Sequence, residues 1–327
     1  MRGSPKSGNF RTHNARATGN RKFATNKEKE NGADAMMNPG LEHLTFPLAD
    51  VSIHAVAAGP QDGPLVILLH GFPELWYGWR AQIGPLAEAG FRVTVPDQRG
   101  YNQSSKPKDW RAYEVPRLVG DVLGIAGRLG HERFLLAGHD WGGIVAWACA
   151  MAHPDRIGRL AILNSPHPSV FRNYMRTHPA QVLRSYYMFF MQLPWLPEFL
   201  FNAANFRAMT AALTRTSRPG TFSEQDFEHY REAWRQPGAP TGMINWYRAL
   251  RTSGKPIGNP TIELPVKILW GAQDRFLASE MAELSLVYCP KGQLTLLPEA
   301  SHWLQHEEPT AVSQALKEFF AMRDLSD

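Results

Sequence analysis

The chain reads Leu136-Ala137-Gly138-His139-Asp140-Trp141-Gly142-Gly143-Ile144-Val145 at the point where one apolar run ends and another begins. The first run, residues 134–137, predicts a short buried strand, and the second, residues 143–152, predicts a helix packed on a sheet. The spacing Gly-x-Asp-x-Gly-Gly is typical of a sharp strand-to-helix turn, which exposes one side chain and needs small neighbours. We therefore expect Asp140 to project from the turn, ionised beside the positive end of the helix dipole.

Apolar strands and helices alternate on both sides of this turn. Between residues 167 and 263 the alternation stops, and a helical pattern rich in aromatic residues and Met replaces it. This order predicts an α/β fold with a mostly parallel central sheet, helices on both faces and a helical cap inserted over the carboxyl edge of the sheet. The predicted strands are 64–69, 91–95, 134–137, 160–164, 266–270 and 294–297, and the predicted core helices are 79–88, 115–129, 143–152 and 310–322.

The start of the chain differs in composition from the rest. Its first 35 residues contain eight Lys/Arg, three Asp/Glu and almost no large apolar side chain, so they carry the whole formal charge of +5 and are predicted to be disordered. The remainder is neutral and offers nucleic acid no net positive surface, so we expect no nucleic-acid partner. The predicted division is a disordered basic tail (1–37), a first core part (38–166), the helical cap (167–262) and a second core part (263–327).

The two cysteines, Cys149 and Cys289, lie in apolar surroundings without a metal-type spacing. This usage is typical of a reducing compartment, so we expect a cytoplasmic protein with no disulfide, no metal and no other cofactor. No apolar run approaches the roughly 18 residues that span a bilayer, so we expect no membrane insertion. A homodimer is left open by the sequence.

Three residues suited to a catalytic triad each follow a predicted strand, in the order Asp140, Asp274 and His302. Nucleophile, acid and histidine in this order are used by α/β-hydrolases, and the carboxyl ends of parallel strands lie at one edge of the sheet. An aspartate that attacks a saturated carbon forms an ester, which water activated by His302 can cleave while Asp274 orients the imidazole. A serine would form an ether, which water does not readily cleave, so the aspartate predicts an alkylating substrate such as an epoxide or alkyl halide.

The tetrahedral intermediate of ester hydrolysis places a negative charge on an oxygen of Asp140. This fold supplies donors from the residue after the nucleophile and from the loop after the first central strand. We therefore predict an oxyanion hole formed by the backbone N–H groups of Trp141 and Phe72, where one donor is typically worth about 3 to 4 kcal/mol.

From Leu41 to the C-terminus the chain resembles the α/β-hydrolase epoxide hydrolases. In that family two cap tyrosines hydrogen-bond the epoxide oxygen, and the resemblance implies this role for Tyr187 and Tyr247. Tyr186 is the alternative to Tyr187, because neighbouring residues of a helix cannot both face the pocket. The matching stretches are His70-Gly71-Phe72-Pro73-Glu74, Trp76-Tyr77-Gly78-Trp79-Arg80, Asp97-Gln98-Arg99-Gly100-Tyr101, residues 138–143, Ser165-Pro166-His167-Pro168, residues 186–194 and Asn245-Trp246-Tyr247-Arg248.

The resemblance implies hydrolysis of a small apolar epoxide by water to a vicinal diol. Four aromatic or methionine side chains are predicted to contact that substrate: Trp76, Met188, Met191 and Trp303. Packing alone also explains Tyr247, which shares a helical face with Met243 and Leu250. Asp97 and Arg99 are interpreted as a structural pair at a strand end.

Two other functions fit parts of the pattern. Haloalkane dehalogenases resemble this chain in nucleophile and triad, but they commonly carry Asn where Phe72 stands, and fluoroacetate dehalogenases carry Arg where Trp141 stands. A non-catalytic ligand-binding protein on the same scaffold is the third hypothesis. It conflicts with the presence of the whole triad and both cap tyrosines, so epoxide hydrolysis is the preferred prediction.

Overall fold

The computed structural model describes residues 40–252 and 258–322 together with Met1, so the predicted tail lies outside the described residues except for Met1. The strands are β1 (Glu42–Pro47), β2 (Ser52–Ala58), β3 (Leu65–Leu69), β4 (Arg92–Pro96), β5 (Phe134–His139), β6 (Ile157–Leu163), β7 (Val266–Gly271) and β8 (Gly292–Leu297). The helices of the first half are α1 (Arg80–Glu88), α2 (Val115–Arg128) and α3 (Trp141–Ala152). Those that follow β6 are α4 (Pro168–Thr177), α5 (Pro179–Arg184), α6 (Tyr186–Phe190), α7 (Leu196–Asn202), α8 (Arg207–Thr216), α9 (Glu224–Trp234), α10 (Ala239–Ala249), α11 (Glu280–Leu286), α12 (Leu304–Glu307) and α13 (Pro309–Ala321).

The eight strands form one sheet in the order β1-β2-β4-β3-β5-β6-β7-β8. Strand β2 runs in the direction opposite to the other strands of the sheet, so its pairs with β1 and β4 are antiparallel. The remaining pairs, from β4 across the sheet to β8, are all parallel. Every residue of β3 is buried, as expected for a central parallel strand covered on both faces. The predicted α/β fold class is therefore confirmed. The carboxyl ends of β3, β5, β6 and β7 lie at a single edge of the sheet, where their following loops meet.

Among the described residues between β6 and β7, seven α-helices, α4 to α10, occupy the part of the chain where no strand was predicted. Buried side chains of this block bond to backbone carbonyls of the core: Trp234 Nε1 donates to Pro73 at 2.7 Å and Trp246 Nε1 to Arg99 at 2.9 Å. These bonds hold the helical block above the loops that follow β3 and β4. Its assignment as a separate cap domain stays a prediction.

The predicted pairing of Asp97 with Arg99 at the strand end is wrong, because each side chain has another partner. Asp97 lies 2.6 Å from His54 Nδ1, in β2, whereas Arg99 makes two 2.6 Å hydrogen bonds to Asp121, in α2. Both side chains are almost fully buried, and each is satisfied by an element on its own side of the strand end. A buried charge needs a partner within hydrogen-bonding distance, and the folded chain can supply that partner from any segment. Closeness in sequence therefore does not decide which residues pair.

Both cysteines are buried as free thiols, and burial raises the pKa of Cys289 to about 12. Within residues 40–252 and 258–322, no helix is long and apolar enough to cross a membrane. The same part of the chain contains no group of three or more His, Cys, Asp or Glu side chains arranged to hold a metal ion.

Candidate active site

Asp140 occupies the turn between β5 and α3 with φ 51° and ψ −118°, a conformation that L-residues rarely adopt. The turn is tight enough to exclude side chains at the neighbouring glycines. A Cβ atom on Gly142 would lie 2.3 Å from the Leu69 carbonyl oxygen, and one on Gly143 would lie 2.4 Å from Ser165 Cβ. The close approach of α3 to β3 and to the end of β6 therefore explains why the motif needs glycine at both positions.

The three residues of the predicted triad come together at the carboxyl edge of the sheet. His302 Nδ1 lies 2.7 Å from Asp274 Oδ2, and His302 Nε2 lies 3.5 Å from Asp140 Oδ2. His302 is 2% exposed and Asp274 is 7% exposed, so their pair is shielded from solvent. The imidazole thus bridges two carboxylates contributed by segments more than a hundred residues apart.

Asn164 is a site residue that the sequence analysis missed. It follows β6 with a positive φ of 39°, and its side-chain amide donates to Asp274 Oδ2 at 2.6 Å. The side-chain oxygen of Asn164, Oδ1, accepts from the Gly271 N–H at 2.7 Å. The other carboxylate oxygen of Asp274, Oδ1, accepts from the N–H groups of Phe276 and Leu277. These bonds fix the carboxylate that faces His302. The only sequence signal was its place at the end of a predicted strand.

The charges of the triad are coupled. Burial by itself would lower the pKa of His302. The charge of Asp274, the hydrogen bonds to both carboxylates and the charge of Asp140 outweigh this effect and raise the pKa to about 10. Burial raises the pKa of Asp140, and the hydrogen bond and charge of His302 reverse that effect, so the net pKa is lowered. At neutral pH the site therefore holds a protonated imidazole beside an ionised Asp140.

One of the two predicted oxyanion donors contacts the Asp140 carboxylate directly, and the other belongs to the residue that follows Asp140. The Phe72 N–H donates to Asp140 Oδ1 at 2.9 Å. Gly71 lies so close that a Cβ atom there would be 2.5 Å from Asp140 Cβ. Trp141 is the first residue of α3, so its N–H has no acceptor within the helix. Donors on a rigid loop and at a helix start are already oriented before charge develops.

Tyr187 and Tyr247 lie with Asp140 on the wall of one cavity, and their ring centroids are 5.9 Å apart. Tyr186 is instead 71% exposed on the opposite side of α6. Burial and the charge of Asp140 raise the pKa of Tyr187. Burial, Tyr187 and Asp140 likewise raise the pKa of Tyr247, and a hydrogen bond with the Trp141 side chain lowers it by less. Both phenols are therefore neutral hydrogen-bond donors at physiological pH.

The cavity has a volume of about 590 Å³ and extends from Asp140 along α3. Its α3 wall is formed by Trp141, Ile144, Ala148 and Met151, which span about 15 Å of helix rise. Of the four predicted substrate contacts, Met188 lies on the wall. Trp76, Met191 and Trp303 do not, because each is buried elsewhere in the core. The Trp303 indole, for example, donates to Thr216 Oγ1 at 2.9 Å.

A buried polar cluster lies behind the catalytic histidine. His139 Nε2 donates to the His302 carbonyl at 2.8 Å, and Gln305 Nε2 lies within 3.2 Å of both His139 Nδ1 and Glu74 Oε2. Glu74 also accepts from the Tyr230 hydroxyl of α9 at 2.8 Å. The cluster therefore connects the helical block above the sheet to the loop that carries His302.

The fold and the arrangement of these residues define the class of α/β hydrolases. A family model described as "alpha/beta hydrolase fold" matches residues 64–309 of the chain. The solved epoxide hydrolase of Bacillus megaterium in complex with an inhibitor superposes with a TM-score of 0.77, covering 85% of this chain and 100% of that one at 29% identity.

Similarity to individual relatives narrows the class. The chain is 38% identical to human epoxide hydrolase 4, covering 88% of this chain and 84% of the relative. It is 32% identical to epoxide hydrolase A of Mycobacterium tuberculosis, covering 84% and 96%. It is also 43% identical to the AB hydrolase superfamily protein YfhM of Bacillus subtilis, covering 82% and 94%. The chain therefore belongs to the epoxide hydrolase family of α/β hydrolases, and it is a hydrolase.

Proposed function

We propose that this hydrolase opens a small apolar epoxide to a vicinal diol through a covalent ester on Asp140. The observation that carries the proposal is the convergence of Asp140, Tyr187 and Tyr247 on one cavity, with His302 directly behind the carboxylate. A carboxylate opposite two neutral phenols matches the needs of epoxide opening, in which one ring carbon is attacked while the ring oxygen gains negative charge.

In the first step, Asp140 attacks the epoxide carbon with Oδ2, because Oδ1 is held by the Phe72 N–H. The carbon–oxygen bond of the ring breaks, and its electron pair moves to the ring oxygen. Tyr187 and Tyr247 hydrogen-bond that oxygen, and one phenol donates its proton to the developing alkoxide. The product of this step is a hydroxyalkyl ester of Asp140.

In the second step, His302 acts as the general base. Esterification removes the negative charge of Asp140, which is one of the charges that raise the pKa of His302. The proton that the imidazole gives up restores the phenol that had protonated the alkoxide. The neutral ring then takes a proton from a water molecule that attacks Cγ of the ester. The Phe72 and Trp141 N–H groups stabilise the oxyanion on Oδ1, the ester bond breaks, and His302 returns the proton to the departing diol oxygen.

The walls of the cavity support an apolar substrate. Aliphatic and aromatic side chains dominate the surface beside α3, with polar groups near Asp140 and at the outer end. In the 29% identical Bacillus megaterium enzyme, a variant has been solved with its product (R)-3-[1]naphthyloxy-propane-1,2-diol. We propose a substrate of the same kind for this chain, a small epoxide that carries an apolar aromatic substituent.

Halide chemistry is less well supported by the same site. A dehalogenase needs free N–H donors for the leaving halide, and position 72 supplies a phenyl ring. The Trp141 side chain is already hydrogen-bonded with Tyr247. Non-catalytic binding is also disfavoured, because it would not require an imidazole held between two carboxylates.

The tyrosines provide the test, because they matter for an alkoxide and are of little use to a departing halide. Tyr187→Phe or Tyr247→Phe should slow formation of the ester about 10²-fold, and the variant with both substitutions should lose nearly all ring opening. Tyr186→Phe is the matched control and should keep the parent rate, since this phenol faces solvent. The measurement is single-turnover ester formation with a styrene-type epoxide. Parent-rate opening by the folded double variant would refute the proposed function.

A further inference from the structure

The outer side of α5, α6 and α7 exposes a row of large apolar side chains. We call this surface the aromatic face, and it consists of Leu183, Tyr186, Phe189, Leu193, Trp195, Phe199 and Leu200, each at least 40% exposed. The first four are spaced three, three and four residues apart, so they form one stripe along α5 and α6. The opposite stripe, which includes Gln181, Ser185 and Met191, is buried. These helices are therefore apolar on a side that packs against nothing in the described part of the chain.

Arg248 joins the two halves of the aromatic face. It donates to the Leu193 carbonyl at 2.7 Å and to Glu198 Oε1 at 2.6 Å, which holds the start of α7 beside the end of α6. Trp195 and Phe199 then lie one helical turn apart, and both are more than 60% exposed. The end of the first stripe and the helix that carries Phe199 and Leu200 are thus tied together, so the seven exposed side chains lie on adjoining segments. Groups of exposed apolar side chains of this kind are characteristic of interaction sites.

The stretch of chain that carries most of the aromatic face has charge of one sign. Between Asp155 and Glu198 the chain contains no Asp or Glu and five arginines. Three of these, Arg172, Arg176 and Arg184, are exposed and form no ion pair with any carboxylate of the described residues. The nearest acid in sequence, Glu198, is neutralised by Arg248. Aromatic side chains bordered by unpaired cations are the composition of surfaces that adsorb to anionic lipid headgroups.

The aromatic face also adjoins the catalytic cavity. Tyr187 and Met188 line the cavity from the inner side of α6, between Tyr186 and Phe189 on the outer side. Arg172, one of the three unpaired arginines, lies on the cavity wall as well. Helix α6 therefore separates the aromatic face from the catalytic cavity.

We propose that the aromatic face docks on the surface of a phospholipid bilayer that contains anionic lipids. The aromatic side chains enter the headgroup region, and the arginines pair with lipid phosphates, without any segment crossing the membrane. A second copy of the chain fits less well, because an isologous contact through this face would bring unpaired arginines towards the same arginines of the partner. The chain's own basic tail is also a poor occupant, since it has the same sign of charge.

The test is cosedimentation of the full chain with vesicles of phosphatidylcholine, alone and mixed with phosphatidylglycerol. The parent should bind the mixed vesicles, and Phe189→Ser combined with Phe199→Ser should lower the partition coefficient by about tenfold or more, because two exposed rings no longer enter the lipid. The matched control is Leu284→Ser with Val287→Ser, which removes two exposed apolar side chains from the region of α11 and should bind like the parent.

A second pair of substitutions tests the electrostatic part. Arg176→Gln with Arg184→Gln should weaken binding to the phosphatidylglycerol vesicles and reduce its salt dependence, while any binding to phosphatidylcholine alone stays unchanged. The proposal is overturned if the parent binds neither vesicle, or if the Phe189/Phe199 variant binds like the parent. It is also overturned if binding is lost only when residues 2–36 are deleted, or if sedimentation velocity shows a dimer that those two serines abolish and no vesicle binding.

Discussion

The side chain of His302 lies between two carboxylates, so its protonation depends on the chemical state of both. Its pKa is raised to about 10 while Asp140 and Asp274 are charged. The proposed reaction removes the charge of Asp140 at the moment when His302 must become a base. Formation of the ester therefore favours the next step, its hydrolysis. The bond to the substrate removes the negative charge of Asp140, which had helped to keep the His302 imidazole protonated.

Asp140→Asn imitates this loss of charge and should lower the pKa of His302 below its value of about 10 in the parent. The imidazole of the variant should therefore lose its proton at a lower pH than that of the parent. The measurement is an NMR titration of the His302 ring protons. Asp62→Asn, an exposed aspartate, is the control and should leave the titration unchanged. Identical His302 titrations in the parent and Asp140→Asn would show that the two groups are not coupled.

The division of labour between Asp140 and His302 predicts a trapped intermediate. His302→Gln should still allow Asp140 to attack the epoxide, but the ester should accumulate because no base activates water. Intact-protein mass spectrometry should then show an increase equal to the mass of one epoxide molecule. Asp140→Asn should show no such increase under the same conditions. Normal turnover by His302→Gln with an unmodified mass would assign the base to another residue.

At the scale of elements, the helical block is held on the core by a few buried hydrogen bonds and by close backbone contact. Trp246, in α10, bonds the Arg99 carbonyl, and Gly242 of the same helix packs directly on Gly100. Because Tyr247 also belongs to α10, its phenol can reach the cavity only if this contact is made. The register of one helix against one loop thus determines a position in the site.

Gly242→Ala tests this contact. The added Cβ atom would lie 2.6 Å from the Gly100 carbonyl oxygen, so helix and loop must separate. We expect a loss of about 1 to 3 kcal/mol in the free energy of unfolding, together with slower ring opening as Tyr247 shifts. Gly120→Ala is the matched control in α2, with no atom within 4 Å of the new Cβ, and should be neutral or stabilise by up to about 1 kcal/mol. Urea unfolding measures both, and equal values would contradict the proposed contact.

For the whole molecule, net charge and local charge lead to different conclusions. The body without its first 35 residues is neutral, which argues against nucleic acid. The same body nevertheless concentrates unpaired arginines beside the aromatic face, where acidic residues are absent over forty positions. A net charge of zero for the body is therefore compatible with a surface suited to anionic lipid, because the acidic residues that offset these arginines lie in other parts of the sequence.

The sequence by itself determined the features that depend on local pattern. Alternating apolar runs predicted the α/β fold, which is confirmed, and a Gly-rich turn predicted the elbow around Asp140. The order of the triad candidates could be predicted because the carboxyl ends of parallel strands lie at one edge of the sheet. Their catalytic roles stay predictions, although the structure brings Asp140, Asp274 and His302 within hydrogen-bonding range or close to it.

Only the tertiary structure decided which side chains meet across the fold. Asn164 bonds Asp274, and Asp97 pairs with His54 and not with Arg99. Trp76 and Trp303 have the size and polarity of substrate contacts, yet packing places them away from the cavity. The physical reason is that local pattern reports the preferences of one segment. A buried polar group or ring is instead satisfied by whatever a distant segment brings within a few ångströms, and that proximity exists only after the segments have packed.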